Sequence, residues 1–305
     1  MRYVVLQRGL GSHGAIELTA REFEEIGIAK RGFLLALGIE EKFHLLLENF
    51  AEFEAELLNL SLQHLVFADI SWSSFQGDIY TVNRRLVNLL SSTRLYIDHL
   101  LHELTASYGS ASGIVSATKA RLASEYDSSL SFRTIDVIRN HLQHRSLPVD
   151  GVKHTASRDE SEDAVSVRHN ASPRLNILEL RADPKVKQSV VAELATLGNE
   201  VCVTPLVREY VEAIGRVDEG VRAAMASDVG RWDSQMSAWV ERAKTVFGNA
   251  AGLAAVRIGA DDQERNAEDL FLAFIDRRRL LEQRSRHAAH LANHYVTGKA
   301  NLDDV

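Results

Sequence analysis

Cysteine is nearly absent: Cys202 is the only one in 305 residues. That excludes an intrachain disulfide framework and fits a reducing compartment. Prolines number four, so little in the chain interrupts a helix. No apolar run is long enough to span a bilayer. The opening Met1-Arg-Tyr-Val-Val-Leu-Gln-Arg-Gly-Leu-Gly has too short an apolar stretch for a signal peptide. Phosphate-binding glycine loops, a dinucleotide fingerprint and a nucleophile elbow are missing too. Ser91, Ser92 and Ser128 to Ser131 have no base and carboxylate at a recognisable offset. These absences predict a soluble, cytoplasmic protein with no membrane partner, and they leave most enzyme classes without a warrant. What the chain does have is 45% hydrophobic residues and abundant Ala, Leu, Glu and Arg, which predicts a mainly α protein with a substantial core. The net charge of −7 argues against an indiscriminate nucleic-acid coat, although local charge decides what a cleft attracts.

Periodicity divides the chain into helices and two small β segments. Tyr3 to Gln7 reads as a short strand, followed by a Gly-containing loop up to residue 19. Thr19-Ala-Arg-Glu-Phe-Glu-Glu marks a helix start with acids in its first turn. Gly38 divides the region up to Phe67 into two helices. The later one carries Phe43, Leu46, Leu47, Phe50, Phe53, Leu57 and Leu60 at helical spacing. Ser71 to Gly77 reads as a connecting loop. Helices follow over Ile79 to Leu104, Ile114 to Tyr126 and Ser131 to Arg145. The first has a buried stripe of Leu86, Leu90, Thr93, Ile97, Leu100, Leu101 and Leu104, with Asn83, Arg84 and Arg94 among the residues on its other faces. Val149 to Asp163 is polar and reads as an exposed loop. Ala164 to His169 and Leu175 to Leu180 alternate, with Asn170-Ala-Ser-Pro between them, and predict a small β-hairpin. Helices return over Val186 to Leu197, Pro205 to Phe247 and Asp262 to Tyr295. The polar loop divides an N-terminal bundle over 1–150 from a part over 151–305 that can complete the same domain.

The densest chemistry is Ile138-Arg139-Asn140-His141-Leu142-Gln143-His144-Arg145-Ser146-Leu147-Pro148. Pro148 disfavours helix at Leu147, which puts this stretch on the last turn of its helix. At about 100° per residue, Phe132, Ile135, Ile138 and Leu142 form an apolar arc with Arg139 at its edge. Asp136, Asn140 and His144 line up on another face. A histidine at a helix C-terminus is favoured as imidazolium and can give and take protons near neutrality. A guanidinium can hold a phosphate and offset charge on a transferring phosphoryl group. An asparagine amide can orient either partner.

Arginine, adjacent asparagine and a histidine five positions on, at a helix end before a proline, resemble the Arg-Asn-x-x-x-His motif of the HEPN superfamily, which includes metal-independent ribonucleases. The Val82-Asn-Arg-Arg-Leu-Val-Asn-Leu-Leu-Ser-Ser stretch looks like bacterial members of the same group. The resemblance covers residues 20 to 150. It implies a HEPN-like helical bundle, here extended by a small β-hairpin and long C-terminal helices, that assembles as a homodimer with paired motifs. It further implies an endoribonuclease that cuts RNA by attack of the 2′-OH on the adjacent phosphate. Arg139 would hold the phosphate, His144 would act as general acid/base, and Asn140 would orient them. His141 and Arg145 read as solvent-facing residues or outer substrate contacts. No cofactor is implied. A toxin or phage-defence setting, with a cognate inhibitor as a further partner, is also what the resemblance suggests.

Competing readings stay open. Arg139 can instead lock a bundle by pairing with Glu103 or Asp98, with His144 as a helix-end cap. The chain can also be a non-catalytic HEPN-like dimer that binds nucleic acid, nucleotide or a partner protein, or a helical scaffold. Asp98, His99 and His102, and separately His287, His290 and His294, have spacings compatible with zinc, but a polar or RNA-facing helix face is the more economical account. Arg284 and Arg286, with Arg277, Arg278 and Arg279 nearby, form a local basic excess suited to substrate phosphates.

Overall fold

The computed structural model describes residues 1–9, 14–68, 71–160, 165–294 and 296. It is mainly helical, with small antiparallel sheets. No helix among these residues is long and apolar enough to cross a membrane.

The chain opens with strand β1 (Arg2–Gln7), as expected, and then forms β2 (Ala15–Leu18) where a loop is predicted. A reciprocal cap starts the first helix. The Thr19 hydroxyl accepts from the Glu22 amide at 3.1 Å, and the Glu22 carboxylate accepts from the Thr19 amide at 2.7 Å. Helix α1 (Ala20–Phe67) then runs 48 residues without a break, which corrects the division at Gly38. A helical glycine costs only about 0.5–1 kcal/mol, and buried Phe33, Leu37, Ile39 and Phe43 on either side of it outweigh that. Helix α2 (Trp72–Tyr108) begins inside the expected Ser71 to Gly77 loop, because the Ser71 hydroxyl accepts from the Ser74 amide at 3.3 Å and caps it. Trp72 is 75% exposed, so it adds nothing to an apolar stripe that would have announced the helix.

Helices α3 (Gly113–Ser128) and α4 (Leu130–His144) follow close to their expected bounds. The expected exposed loop after α4 is instead strand β3 (Val149–Glu160), paired antiparallel along its length with β4 (Val165–Asn176). The ribbon's outer half is polar and exposed on β3 at Ala156, Ser157 and Arg158, so no apolar alternation betrays it. The predicted turn at Asn170 to Pro173 lies within β4. Pro173 is tolerated there because β5 (Glu200–Cys202) pairs with β4 only from Arg174 to Asn176. Beyond Asn176, whose side chain caps it, comes α5 (Ile177–Arg181) rather than more strand. Asp163 and Ala164, at the ends of the expected loop and strand, lie outside the described residues.

Helix α6 (Gln188–Leu194), a 3-10 turn over Ala195–Leu197 and α7 (Val203–Phe247) match expectation closely. The expected helix over Asp262 to Tyr295 is not formed. Strands β6 (Leu253–Ile258) and β7 (Glu264–Asp269) precede a shorter α8 (Ala273–Arg284) and a 3-10 turn at Ala288–His290; Tyr295 lies outside the described residues.

Two compact units emerge, each assembled from three separate stretches of chain. The first comprises 1–44, 96–116 and 220–285. It holds the sheet β2-β1-β6-β7, whose Val5 and Ala255 join Ile26, Phe33, Met236 and Val240 in one core. The second comprises 45–95, 117–219 and 286–305 and holds the sheet β3-β4-β5 and all of α4.

Two glycines test this packing from opposite sides. A Cβ on Gly32 would sit 2.3 Å from the buried Trp232 ring, whereas one on Gly77 meets nothing within 4 Å. Gly32→Ala should cost about 1–3 kcal/mol through overpacking. Gly77→Ala, inside α2, should gain about 0.5–1 kcal/mol. Urea denaturation followed by tryptophan fluorescence reads both, and equal midpoints for the two variants would contradict the packing described.

Candidate functional site

Helix α4 is anchored along its length before it presents the motif. The Ser129 hydroxyl caps it by accepting from the Phe132 amide at 3.1 Å. Phe132 packs edge-on against Tyr126 of α3 and Tyr210 of α7, with ring centroids 5.9 and 4.8 Å away. Arg133 holds Glu193 of α6 with two bonds of 2.8 Å. The buried face comprises Ser131, Phe132, Thr134, Ile135, Val137, Ile138 and His141. It is wider than the predicted arc, and Leu142 is only half-buried.

Asn140 and His144 lie on the remaining face, with Arg139 at the edge of the buried one. Arg139 is half-buried and donates to Asp136, one turn back on the same helix, at 2.8 Å. Asn140 is half-buried, and His144, the last residue of α4, is exposed. Glu103, one proposed alternative partner for Arg139, instead pairs with Lys42 at 2.9 Å. Burial pushes the Tyr210 phenol above its usual range, and the charges of Arg139, Asp136 and Arg94 also act on it. Tyr210 and Arg94 were not singled out for the site in the sequence.

The expectation that His141 faces solvent is corrected. The residue is 1% exposed, and its two ring nitrogens complete a chain of hydrogen bonds. Nδ1 lies 2.8 Å from Asp183 Oδ2, and Nε2 lies 2.9 Å from the Ser146 hydroxyl. Asp183 is itself fixed, because its Oδ1 accepts from the Lys185 amide at 3.0 Å and its carbonyl accepts from the Gln188 side chain at 2.8 Å. The Lys185 amide, with the His141 bond adding to it, holds the Asp183 carboxyl below the ordinary carboxylate range against its burial. Arg145 is exposed, as expected, and donates to the Ala182 carbonyl at 2.8 Å.

The chain leaving the motif is clamped again two residues on from Leu147. The buried Asn83 amide of α2, expected on a polar face, donates to the Val149 carbonyl at 2.7 Å and accepts from the Val149 amide at 3.1 Å. His144 therefore sits between two fixed points.

The C-terminal basic run is divided by the fold. Arg284 is the exposed last residue of α8 and belongs to the first unit. Arg286 is exposed and donates to the His287 ring at 3.0 Å. Arg278, by contrast, is buried and ion-paired to Asp233 and Glu282. It borders a cavity of about 380 Å³ with Glu40 and Arg222, which bond each other at 2.6 and 2.7 Å. A second polar cluster joins His64, His154 and Asp78. The His154 Nε2 lies 2.9 Å from Asp78, and the two rings stack 4.6 Å apart. Among the described residues, no group of three or more His, Cys, Asp or Glu is arranged to hold a metal ion. No protein-family model, curated protein or solved structure matches this chain.

The depressed carboxyl of Asp183 carries a pH signature. The unfolded chain binds the proton more readily, so the stabilisation is complete above the ordinary carboxylate range and fades as pH falls through and below it. Asp183→Asn should lower the urea midpoint at about pH 7 and narrow its gap to the parent at about pH 3. A gap unchanged by acid would contradict the assignment.

Proposed function

We propose that the chain is a HEPN-like, metal-independent endoribonuclease that acts as a homodimer on RNA. Arg139 holds the scissile phosphate, Asn140 orients it, and His144 serves as general acid/base while the ribose 2′-OH attacks the adjacent phosphorus. Arg145, exposed beside His144, is an outer contact for the backbone. The proposed setting is intracellular, as a toxin or in phage defence, with a cognate inhibitor.

One observation carries the reading. The polar helix-end work is done by His141, which leaves His144 exposed, and among the described residues no hydrogen bond or ion pair engages the His144 ring. A capping role for His144 lacks that support. Arg139 is held only by a neighbour on its own helix, at partial exposure, rather than sealed in a tertiary pair. An arginine so held can exchange Asp136 for a phosphate without leaving a charge buried and alone.

The test is incubation of the purified protein with total cellular RNA in EDTA. The parent should cleave, and His144→Ala and Arg139→Ala should each lose at least about 100-fold in rate. Both sites are partly or fully exposed, so circular dichroism should show unchanged folds. Equal cleavage by all three, or none by the parent across a broad RNA pool, would count against the assignment.

A further inference from the structure

The hydrogen-bond chain through His141 has a chemical consequence besides holding the end of α4. Asp183 is 2% exposed, and as a carboxylate it can only accept. In the neutral His141 ring Nδ1 donates to the Asp183 carboxylate, 2.8 Å away, which leaves the lone pair on Nε2. In that tautomer the Ser146 hydroxyl, 2.9 Å from Nε2, donates to it and its proton points at a base. The acid and the base are buried, while Ser146 is exposed on the turn after α4. Nucleophile, base and orienting carboxylate thus stand in the connectivity that activates a serine, and that connectivity does not depend on their order along a chain. The segment is fixed rather than loose, since the Arg145 and Ser146 amides both bond the His141 carbonyl, at 2.8 and 3.4 Å. The chain neighbours of Ser146 are an exposed apolar residue, Leu147, and an exposed cation, Arg145, which commits one of its five N–H donors to Ala182.

We infer that Ser146 is an activated nucleophile, with His141 as its base and Asp183 as the orienting carboxylate, and that it accepts short acyl groups from carboxylic esters. The Ser146 oxygen bonds to the acyl carbon as its proton passes to His141 Nε2. The carbon–alkoxide bond then breaks, and the departing alkoxide takes that proton. Water releases the acyl group by the same steps in reverse, so the net reaction is ester plus water giving acid plus alcohol. Leu147 offers an apolar rest for the acyl chain, and Arg145 a positive charge for the oxyanion. This activity stands independently of the ribonuclease reading, because it uses neither Arg139 nor His144 and needs no RNA.

A fluorophosphonate probe tests it directly on the intact chain. The Ser146 oxygen should displace fluoride from phosphorus, adding one probe less hydrogen fluoride, and peptide mapping should find the label on Ser146. Ser146→Ala should abolish the label, and being an exposed site it should leave the fold intact by circular dichroism. His141→Gln should slow labelling at least about 100-fold. As a second readout, p-nitrophenyl acetate should give a burst of about one nitrophenolate per folded parent chain and none from Ser146→Ala. An unlabelled folded parent, or a label that persists in Ser146→Ala, would overturn the inference.

Discussion

The end of α4 depends on one interaction, the bond between the His141 ring and the Asp183 carboxylate. Both partners are almost wholly out of water, so neither can replace the other with solvent if the bond breaks. The bond joins two places 42 positions apart in sequence, the last turn of α4 and the connection between α5 and α6. The same ring reaches the Ser146 hydroxyl at 2.9 Å through its other nitrogen. The Asn83 clamp on Val149 does the matching work on the far side of Pro148. Between these two buried polar anchors the chain has little freedom, and His144 takes its position from them.

Helical geometry explains why one short stretch can carry two polar systems. At 3.6 residues per turn, His141 lies nearly opposite Arg139 and about 60° from His144. A helix covered on its Phe132–Ile138 side therefore buries His141 and leaves Arg139 at the edge, with Asn140 half-covered and His144 in water. Had the apolar arc been limited to Phe132, Ile135, Ile138 and Leu142, as periodicity suggests, His141 would have stood outside it. Thr134 and Val137 widen the arc, and that small rotation turns a presumed surface histidine into the core of the lock.

The strong helical periods and the helix-end motif were legible in the sequence for local reasons. Caps, apolar spacing and Pro148 all act within a few residues, so α3, α4 and α7 were found close to their true bounds. The strands after α7 were not: the short β6 was assigned to no element, and β7 is a polar Glu-Arg-Asn-Ala-Glu-Asp segment without apolar alternation, over which the last helix was extended. Gly248 and Gly252, both at positive φ, were the available turn signals. Asp183, Ser146 and Asn83 carried no local sign of importance. A short polar residue says nothing of its partner until the chain has brought the two together.

The basic run near the C-terminus shows the same limit from the side of charge. Five arginines within ten positions read as a solvated or phosphate-facing helix, yet Arg278 is enclosed with Asp233 and Glu282 while Arg279 shares the same aspartate at 3.0 Å. A guanidinium paired in this way has its field offset at short range and offers little to a distant phosphate. What attracts an anion is a cation whose counter-charge is weakly held. By that measure Arg139, half-buried and paired only with Asp136 one turn back on its own helix, keeps a more exchangeable counter-charge than the buried member of the denser cluster. Local charge density is therefore a poor guide here, and the strength of each arginine's existing partner is the better one.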